Sequence, residues 1–95
     1  MQEKEIEKRF KKTIEKKGGL CFKWVSPGTR GVPDRIVLFP GGKIYLVEMK
    51  RPGGVCSPVQ SLLHKKIEDL GTRVYVIASD EEADRLLEEW AHETP

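Results

Sequence analysis

Two acidic residues and a lysine stand where strand-like sequence should be apolar. Asp34 precedes the segment Arg35–Phe39, and Glu48 and Lys50 close the segment 43–50. Charged side chains on an otherwise apolar strand cost free energy unless something compensates them. A divalent cation held by the two carboxylates, with the lysine beside it, would provide that compensation.

The turn between the two segments decides whether the carboxylates meet. Residues two apart on a strand share a face, so Glu48 and Lys50 point the same way. A three-residue loop over Pro40–Gly42, with glycine in the left-handed conformation, puts Asp34 directly opposite Glu48. Opposed Cβ atoms are about 4.5–5.5 Å apart. A two-residue loop would instead place Asp34 opposite Met49 and turn Glu48 to the other face.

Each of these residues also has a plainer interpretation. An aspartate in a turn commonly bonds nearby main chain, and Glu48 with Lys50 could be a charge pair that protects a strand edge. Gln60 stands three residues after Ser57 and could simply close a helix capping box. Because Asp34, Glu48 and Lys50 fall on one predicted face, we favour a shared site for them and leave Gln60 open between the two roles.

A longer pattern surrounds these positions, and it resembles a known family. Its parts are Lys23-Trp24, Arg30–Arg35, Val47–Gly54 and Ser57-Pro58-Val59-Gln60. Together they resemble the PD-(D/E)XK nuclease superfamily and, within it, the short stand-alone VRR-NUC form. The resemblance runs from about Glu3 to Ser79. An acid followed by an acid-x-lysine occurs by chance, but the flanking residues at these spacings make the combination specific.

The resemblance implies an endonuclease-like fold with an αβββαβ core and a role for each site residue. Asp34, Glu48 and the Met49 carbonyl would bind Mg²⁺ or Mn²⁺, whose preferred ligands are oxygen atoms. Lys50 would orient the attacking water or stabilise charge on the phosphate, and Gln60 would contact that water or the substrate. Related nucleases carry a glutamate on the first helix that completes the metal site, and we expect Glu3, rather than Glu7, to do so here.

Apolar spacing and turn residues predict the element order αβββαβα. The predicted elements are helices over 3–17 and 57–70, strands over 20–25, 35–39, 43–50 and 73–78, and a last helix that opens at Ser79 with a capping box to Glu82. The hairpin is antiparallel, whereas the strand–helix–strand crossover should be parallel. The predicted fold class is therefore α/β with a mixed sheet and a C-terminal helix, in one domain over 1–95.

The charge of the chain is divided unevenly. Residues 1–79 carry a net +8 and residues 80–95 a net −6, although the whole chain is only +2. A basic body suits a polyanion such as DNA. The candidates for phosphate contacts flank the site in sequence: Lys23, Ser26, Arg30, Arg35 and Arg51.

Composition limits the remaining possibilities. Hydrophobic residues make up 38% of the chain, and no apolar run reaches the ~20 residues that span a bilayer. We expect a cytoplasmic protein without a membrane partner. Cys21 and Cys56 lack metal-ligand spacing and should be reduced thiols. His64 and His92 lie too far apart to suggest a zinc site.

The resulting hypothesis is a metal-dependent DNA endonuclease, and the stand-alone relatives imply branched or four-way-junction DNA cut by a homodimer. A second copy could bind the apolar face of the last helix, with Leu86, Leu87 and Trp90, or a strand edge, but Trp90 could equally cover its own core. The alternatives are a non-catalytic nucleic-acid-binding module and a nuclease subunit of a larger complex.

Overall fold

The computed structural model describes residues 2–93. The elements in chain order are α1 (Glu3–Lys16), β1 (Leu20–Lys23), β2 (Arg35–Phe39), β3 (Lys43–Met49), α2 (Pro58–Asp69), β4 (Val74–Ile77) and α3 (Asp80–Ala91). The predicted element order and α/β class are confirmed. The predicted domain also includes Met1, Thr94 and Pro95, which lie outside the described residues.

The four strands form one mixed sheet in the order β1-β2-β3-β4. β1 and β2 are antiparallel, as are β2 and β3, whereas β3 and β4 are parallel and joined through α2. The chain therefore makes the predicted hairpin and the predicted crossover. The two central strands, β2 and β3, are those that carry the acidic residues at their ends.

The hairpin between β2 and β3 has the predicted three-residue loop. Phe39 is paired with Lys43, and both glycines of the loop have positive φ values, of 88° and 76°. Glycine adopts this conformation without the steric cost that a Cβ atom imposes. The ladder continues to the open end of the hairpin, where the next opposed residues are Asp34 and Glu48.

One face of the sheet packs against α1 and α3 and forms the core. Buried apolar side chains from both helices and the sheet make it up: Ile6, Phe10, Ile14, Cys21, Val37, Tyr45, Val47, Met49, Ile77, Ala83, Leu87 and Trp90. The Trp90 ring stacks on Tyr45 with centroids 4.0 Å apart. The apolar face of α3 is thus used inside the chain, so it cannot be the interface for a second copy.

Helix α2 lies on the opposite face of the sheet. Among the twelve residues of this helix, the one buried side chain is His64, while Leu62 is 59% exposed. Leu70, at the C-cap, is 89% exposed. The apolar residues of this helix therefore do not make a continuous buried stripe.

Details at the element ends differ from the predictions. β1 ends at Lys23 rather than at 25, and β3 ends at Met49 rather than at 50. The predicted capping box of α3 is only half formed. The Ser79 hydroxyl accepts from the Glu82 N–H at 3.1 Å, but the Glu82 carboxylate accepts from the Ala78 N–H.

Cys21 is buried and Cys56 half-buried, and both are free thiols. Between residues 2 and 93, no helix combines the length and apolar character needed to cross a membrane.

Candidate active site

The Asp34 side chain is held against β3 by the main chain. Its Oδ1 accepts a hydrogen bond from the Met49 N–H at 3.1 Å. Its own carbonyl accepts from the Trp24 N–H at 2.9 Å, which ties the start of β2 to the chain leaving β1. Asp34 is therefore fixed from both sides beside the end of β3, where Glu48 lies.

Helix α2 brings Gln60 over the end of β3. The Gln60 Nε2 donates to Glu48 Oε2 at 3.1 Å, and its Oε1 accepts from Lys50 Nζ at 2.8 Å. Lys50 Nζ also lies 3.6 Å from Glu48 Oε2. One amide thus joins the predicted acid to the predicted lysine.

The same glutamine also closes the N-terminal cap of α2. Its Oε1 accepts from the Ser57 N–H at 2.9 Å, while its main-chain N–H donates to the Ser57 hydroxyl at 3.2 Å. The two interpretations of Gln60 are therefore not exclusive. The cap orients the side chain that contacts Glu48 and Lys50.

The two carboxylates lie in an environment that disfavours their ionised forms. Burial and the neighbouring charge of Asp34 raise the pKa of Glu48 to about 7, against the opposing effect of Lys50. Burial also raises the pKa of Asp34, against the Met49 N–H and Arg35. Positive charge placed between the carboxylates would relieve both effects.

The donor atoms fit a hard divalent cation. Glu48 Oε1 is buried and has no hydrogen-bond partner. The carboxylates of Asp34 and Glu48 both offer oxygen atoms as ligands. Over residues 2–93, no three side chains of His, Cys, Asp and Glu are grouped so as to hold a metal ion. A cation here would therefore combine two carboxylates with main-chain carbonyl, water or substrate oxygens. Mg²⁺ is commonly bound in this way.

The two glutamates proposed from the first helix are placed differently. Glu3 is exposed and lines a cleft together with Lys50 and Arg51. The Glu7 carboxylate lies 2.5 Å from Arg35 Nη2 and is engaged in that ion pair. Glu3 is thus the freer of the two, and its part in the metal site stays a prediction.

Arg35 departs from the expectation of a DNA contact. Its side chain is only 8% exposed, and its guanidinium pairs with Glu7 and donates to the Asp34 carbonyl at 2.8 Å. Alternation along β2 turns this residue toward α1, on the face opposite to Asp34. A phosphate cannot reach it, so Arg35 acts instead as a tie between α1 and the start of β2.

The other four candidates for phosphate contacts lie in different places. Arg51 is exposed and lines the cleft beside Lys50. Arg30 is exposed in the loop before Asp34, and Ser26 is half-buried at the start of that loop. Lys23 is paired with Arg35 in the sheet. Its side chain therefore points to the same side as Arg35, away from the face that bears the carboxylates.

Comparison with known proteins gives this arrangement a context. No family model matches the chain. A protein of Acyrthosiphon pisum secondary endosymbiont phage 1, named "Putative nuclease p44", is 44% identical over 81 residues, which cover 85% of this chain and 87% of that one. A solved structure described as a VRR_NUC domain has a TM-score of 0.86 and 32% identity, and the match covers 93% of this chain and 96% of the other. This chain belongs to the VRR-NUC family. The resemblance predicted from the sequence is confirmed.

One residue of this VRR-NUC domain was missed by sequence reasoning. His64 Nε2 lies 3.7 Å from Glu48 Oε1, with side chains that are 8% and 4% exposed. The signal available in the sequence was its spacing. His64 follows Gln60 by four residues, and residues four apart on a helix lie on the same face.

Proposed function

We propose that this VRR-NUC domain is a metal-dependent DNA endonuclease that hydrolyses phosphodiester bonds with Mg²⁺ or Mn²⁺. The observation that carries the proposal is the pair of half-buried Asp34 and buried Glu48, with Lys50 and Gln60 bonded beside it. Such a group of acids is costly for a purely structural role. The intact set of acids and lysine also argues against a non-catalytic binding module.

Each residue has a defined task in the proposed reaction. Asp34, Glu48 and the Met49 carbonyl would hold a divalent cation, which would supply Lewis-acid stabilisation of phosphate charge and make water a better nucleophile at neutral pH. Lys50, held by Gln60, stabilises the negative charge that builds on the phosphate as the water oxygen bonds to phosphorus and the bond to the leaving sugar oxygen breaks. Glu3 lies in the adjoining cleft, where it can complete the site.

Cleavage assays with site variants test this proposal. We expect Asp34→Ala and Lys50→Ala each to reduce cutting by about 100-fold or more while DNA binding and folding persist. Lys65→Ala and Asp69→Ala are matched controls, because they remove an exposed ion pair at the other end of α2. Removal of divalent ions with EDTA should stop cleavage, and full activity in EDTA would contradict the proposal.

The proposed substrate is branched DNA, including four-way junctions. The cleft beside Lys50 is lined by Arg51 and by main chain of the glycines at 53 and 54, and contacts of this kind with phosphate position DNA without reading its sequence. A panel of duplex, single-stranded, flap and four-way-junction DNA, each with Mg²⁺ and with Mn²⁺, measures the preference. Equal cutting of all four would restrict the proposal to a general endonuclease. The cytoplasm stays its proposed place of action.

We further propose that the domain acts as a homodimer through the outer face of its sheet, next to α2. Two cross-strand rows of apolar side chains lie there: Leu20, Leu38 and Ile44, and Phe22, Ile36 and Leu46. Phe22 is 52% and Ile44 61% exposed. A contiguous apolar surface of this kind marks an interaction site. Because none of the six side chains is charged, the face can pair with a copy of itself about a two-fold axis.

A stable interface sets a size requirement for the surface that a second copy covers. Each partner typically buries about 800 Å², which is roughly an eighth of the 6276 Å² surface of this chain. A pair of copies would also supply two active sites, as concerted cutting of two strands needs. A role as the nuclease subunit of a larger complex is the alternative, in which a different protein covers the same face.

A further inference from the structure

Helix α2 buries a histidine at the position where an amphipathic helix would bury a leucine. His64 is 6% exposed, although Leu62, two residues away, is largely open to solvent. A buried polar ring costs free energy unless its nitrogens are hydrogen-bonded, and such positions call for an explanation other than packing.

The ring of His64 faces the Glu48 carboxylate. His64 Nε2 and Glu48 Oε1 are both buried, and neither has a hydrogen-bond partner. Their separation of 3.7 Å is about 0.7 Å longer than a usual hydrogen bond. The other oxygen of Glu48 is already bonded to Gln60. Side chains of α2 thus lie beside both oxygens of the Glu48 carboxylate. The side of the carboxylate that they leave uncovered faces Asp34.

The loop that leads to Asp34 packs on the same helix. Gly31 has φ +92°, and a Cβ atom there would lie 2.9 Å from the Val59 carbonyl oxygen. The loop is therefore pressed closely onto α2 at the turn that precedes His64.

We propose that His64 is a positioning residue that holds Glu48 and the Gly31–Asp34 loop in a fixed relation. Because His64 lies beside Glu48 and the loop packs on the same helix at Val59, His64 sets the separation of the two carboxylates that a divalent cation would bridge. The role rests on the proposed nuclease function. It would explain why α2 carries a buried polar side chain one turn after Gln60.

Two substitutions at this position and one control test the proposal. His64→Leu removes the polar atoms and keeps most of the volume, while His64→Gln keeps polar atoms that can reach Glu48. His92→Leu is the control, because it makes the same histidine-to-leucine change at an exposed residue, at the C-terminal end of α3. For each purified full-length variant, we would measure kcat and KM on the preferred DNA, Mn²⁺ affinity by calorimetry, and the melting temperature.

We expect His64→Leu to lose about 10- to 100-fold in kcat and in Mn²⁺ affinity, as when a residue that supports a metal ligand is removed. The KM for DNA should change by less than about twofold, because phosphate contacts lie elsewhere. Its melting temperature should not fall, since an unpartnered buried polar atom is replaced by an apolar one. His64→Gln should regain part of the loss, and His92→Leu should match the wild type.

The possible results separate the two proposals. If the wild type cuts DNA and His64→Leu equals it in kcat and Mn²⁺ affinity, the positioning role is wrong and the nuclease function stands. A lower melting temperature for both His64 variants, with kcat and Mn²⁺ affinity unchanged, would assign His64 to packing alone. A wild type that neither cuts DNA nor binds Mn²⁺ would overturn the nuclease function and the positioning role together.

Discussion

Asp34 and Glu48 carry like charges at a depth where water cannot screen them well. The chain tolerates this because each carboxylate has its own support. Asp34 accepts a main-chain N–H, whereas Glu48 is bonded by Gln60 and lies beside Lys50. Both acids keep raised pKa values nonetheless. The pair is therefore held ready for a positive charge rather than neutralised by the protein.

Outside this pair, Gly31 is a position beside the site where a larger side chain would be strained. Gly31→Ala forces a Cβ atom into a positive-φ position and against the main chain of α2, so we expect it to lower the free energy of unfolding by about 1–3 kcal/mol and to reduce cleavage. Urea denaturation and the cleavage assay measure the two effects. Gly28→Ala is the control, because φ at Gly28 is not positive and a Cβ atom added there would have no neighbouring atom within 4 Å. Equal stability of the two variants would refute the steric argument.

At the scale of elements, the N-terminus of α2 does two jobs with one residue pair. Ser57 and Gln60 satisfy each other's main-chain N–H groups, and the same bonds aim the Gln60 amide at Glu48 and Lys50. Helix α3 has a Ser79 cap of the same type, but its capped residue contacts no part of the site. Substituting the two cap residues in turn therefore separates an effect on helix stability from an effect on catalytic geometry.

We predict that Ser57→Ala and Ser79→Ala each lower the free energy of unfolding by about 1 kcal/mol, the usual cost of losing a cap. Only Ser57→Ala should also reduce kcat, because only that cap orients a site residue. Chemical denaturation and single-turnover cleavage at a temperature where both variants are folded provide the comparison. An equal loss of kcat in the two variants would assign the effect to stability instead.

At the scale of the whole molecule, the acidic C-terminal helix and the proposed active site lie on different sides of the sheet. The acidic residues of 80–95 lie mainly on α3, which packs on the core face of the sheet, while Asp34 and Glu48 lie toward the face covered by α2. We therefore expect a polyanion that approaches the site to meet the cleft with Lys50 and Arg51 rather than the acidic helix. This arrangement favours binding through phosphate contacts.

We predict that DNA affinity falls steeply as salt rises, because phosphate contacts release counterions. Arg30→Ala and Arg51→Ala should weaken binding and each reduce the slope of log K against log salt by about 1. Arg85→Ala removes the same charge from α3 and should leave both quantities unchanged. Fluorescence anisotropy at several salt concentrations measures them, and affinity that is constant across salt would contradict the electrostatic argument.

The proposed homodimer makes a prediction about mass. Light scattering at micromolar concentration should give twice the 10.8 kDa of one chain, and Ile44→Glu should return the monomer mass, since it buries a charge without a partner in the interface. Val55→Glu places the same charge at an exposed apolar residue outside the two rows and should stay dimeric. A monomeric wild type, with and without branched DNA, would end the dimer hypothesis.

Much of the site follows from local sequence rules. The Pro40–Gly42 turn sets the hairpin register, and side-chain alternation then requires Asp34 and Glu48 to share a face. The capping pair Ser57 and Gln60 starts α2 at a predictable residue. These features depend on contacts between residues near in sequence or on a single hairpin, which is why spacing alone predicts them.

Only the tertiary structure decided which side chains the remaining elements bury. Arg35 was expected at DNA but lies against Glu7, because the packing of α1 on the sheet determines its surroundings. The apolar face of α3 closes the core instead of binding a second copy, and His64 rather than a leucine is the buried residue of α2. Each outcome depends on how distant elements dock, and a one-dimensional pattern of apolar residues does not carry that information.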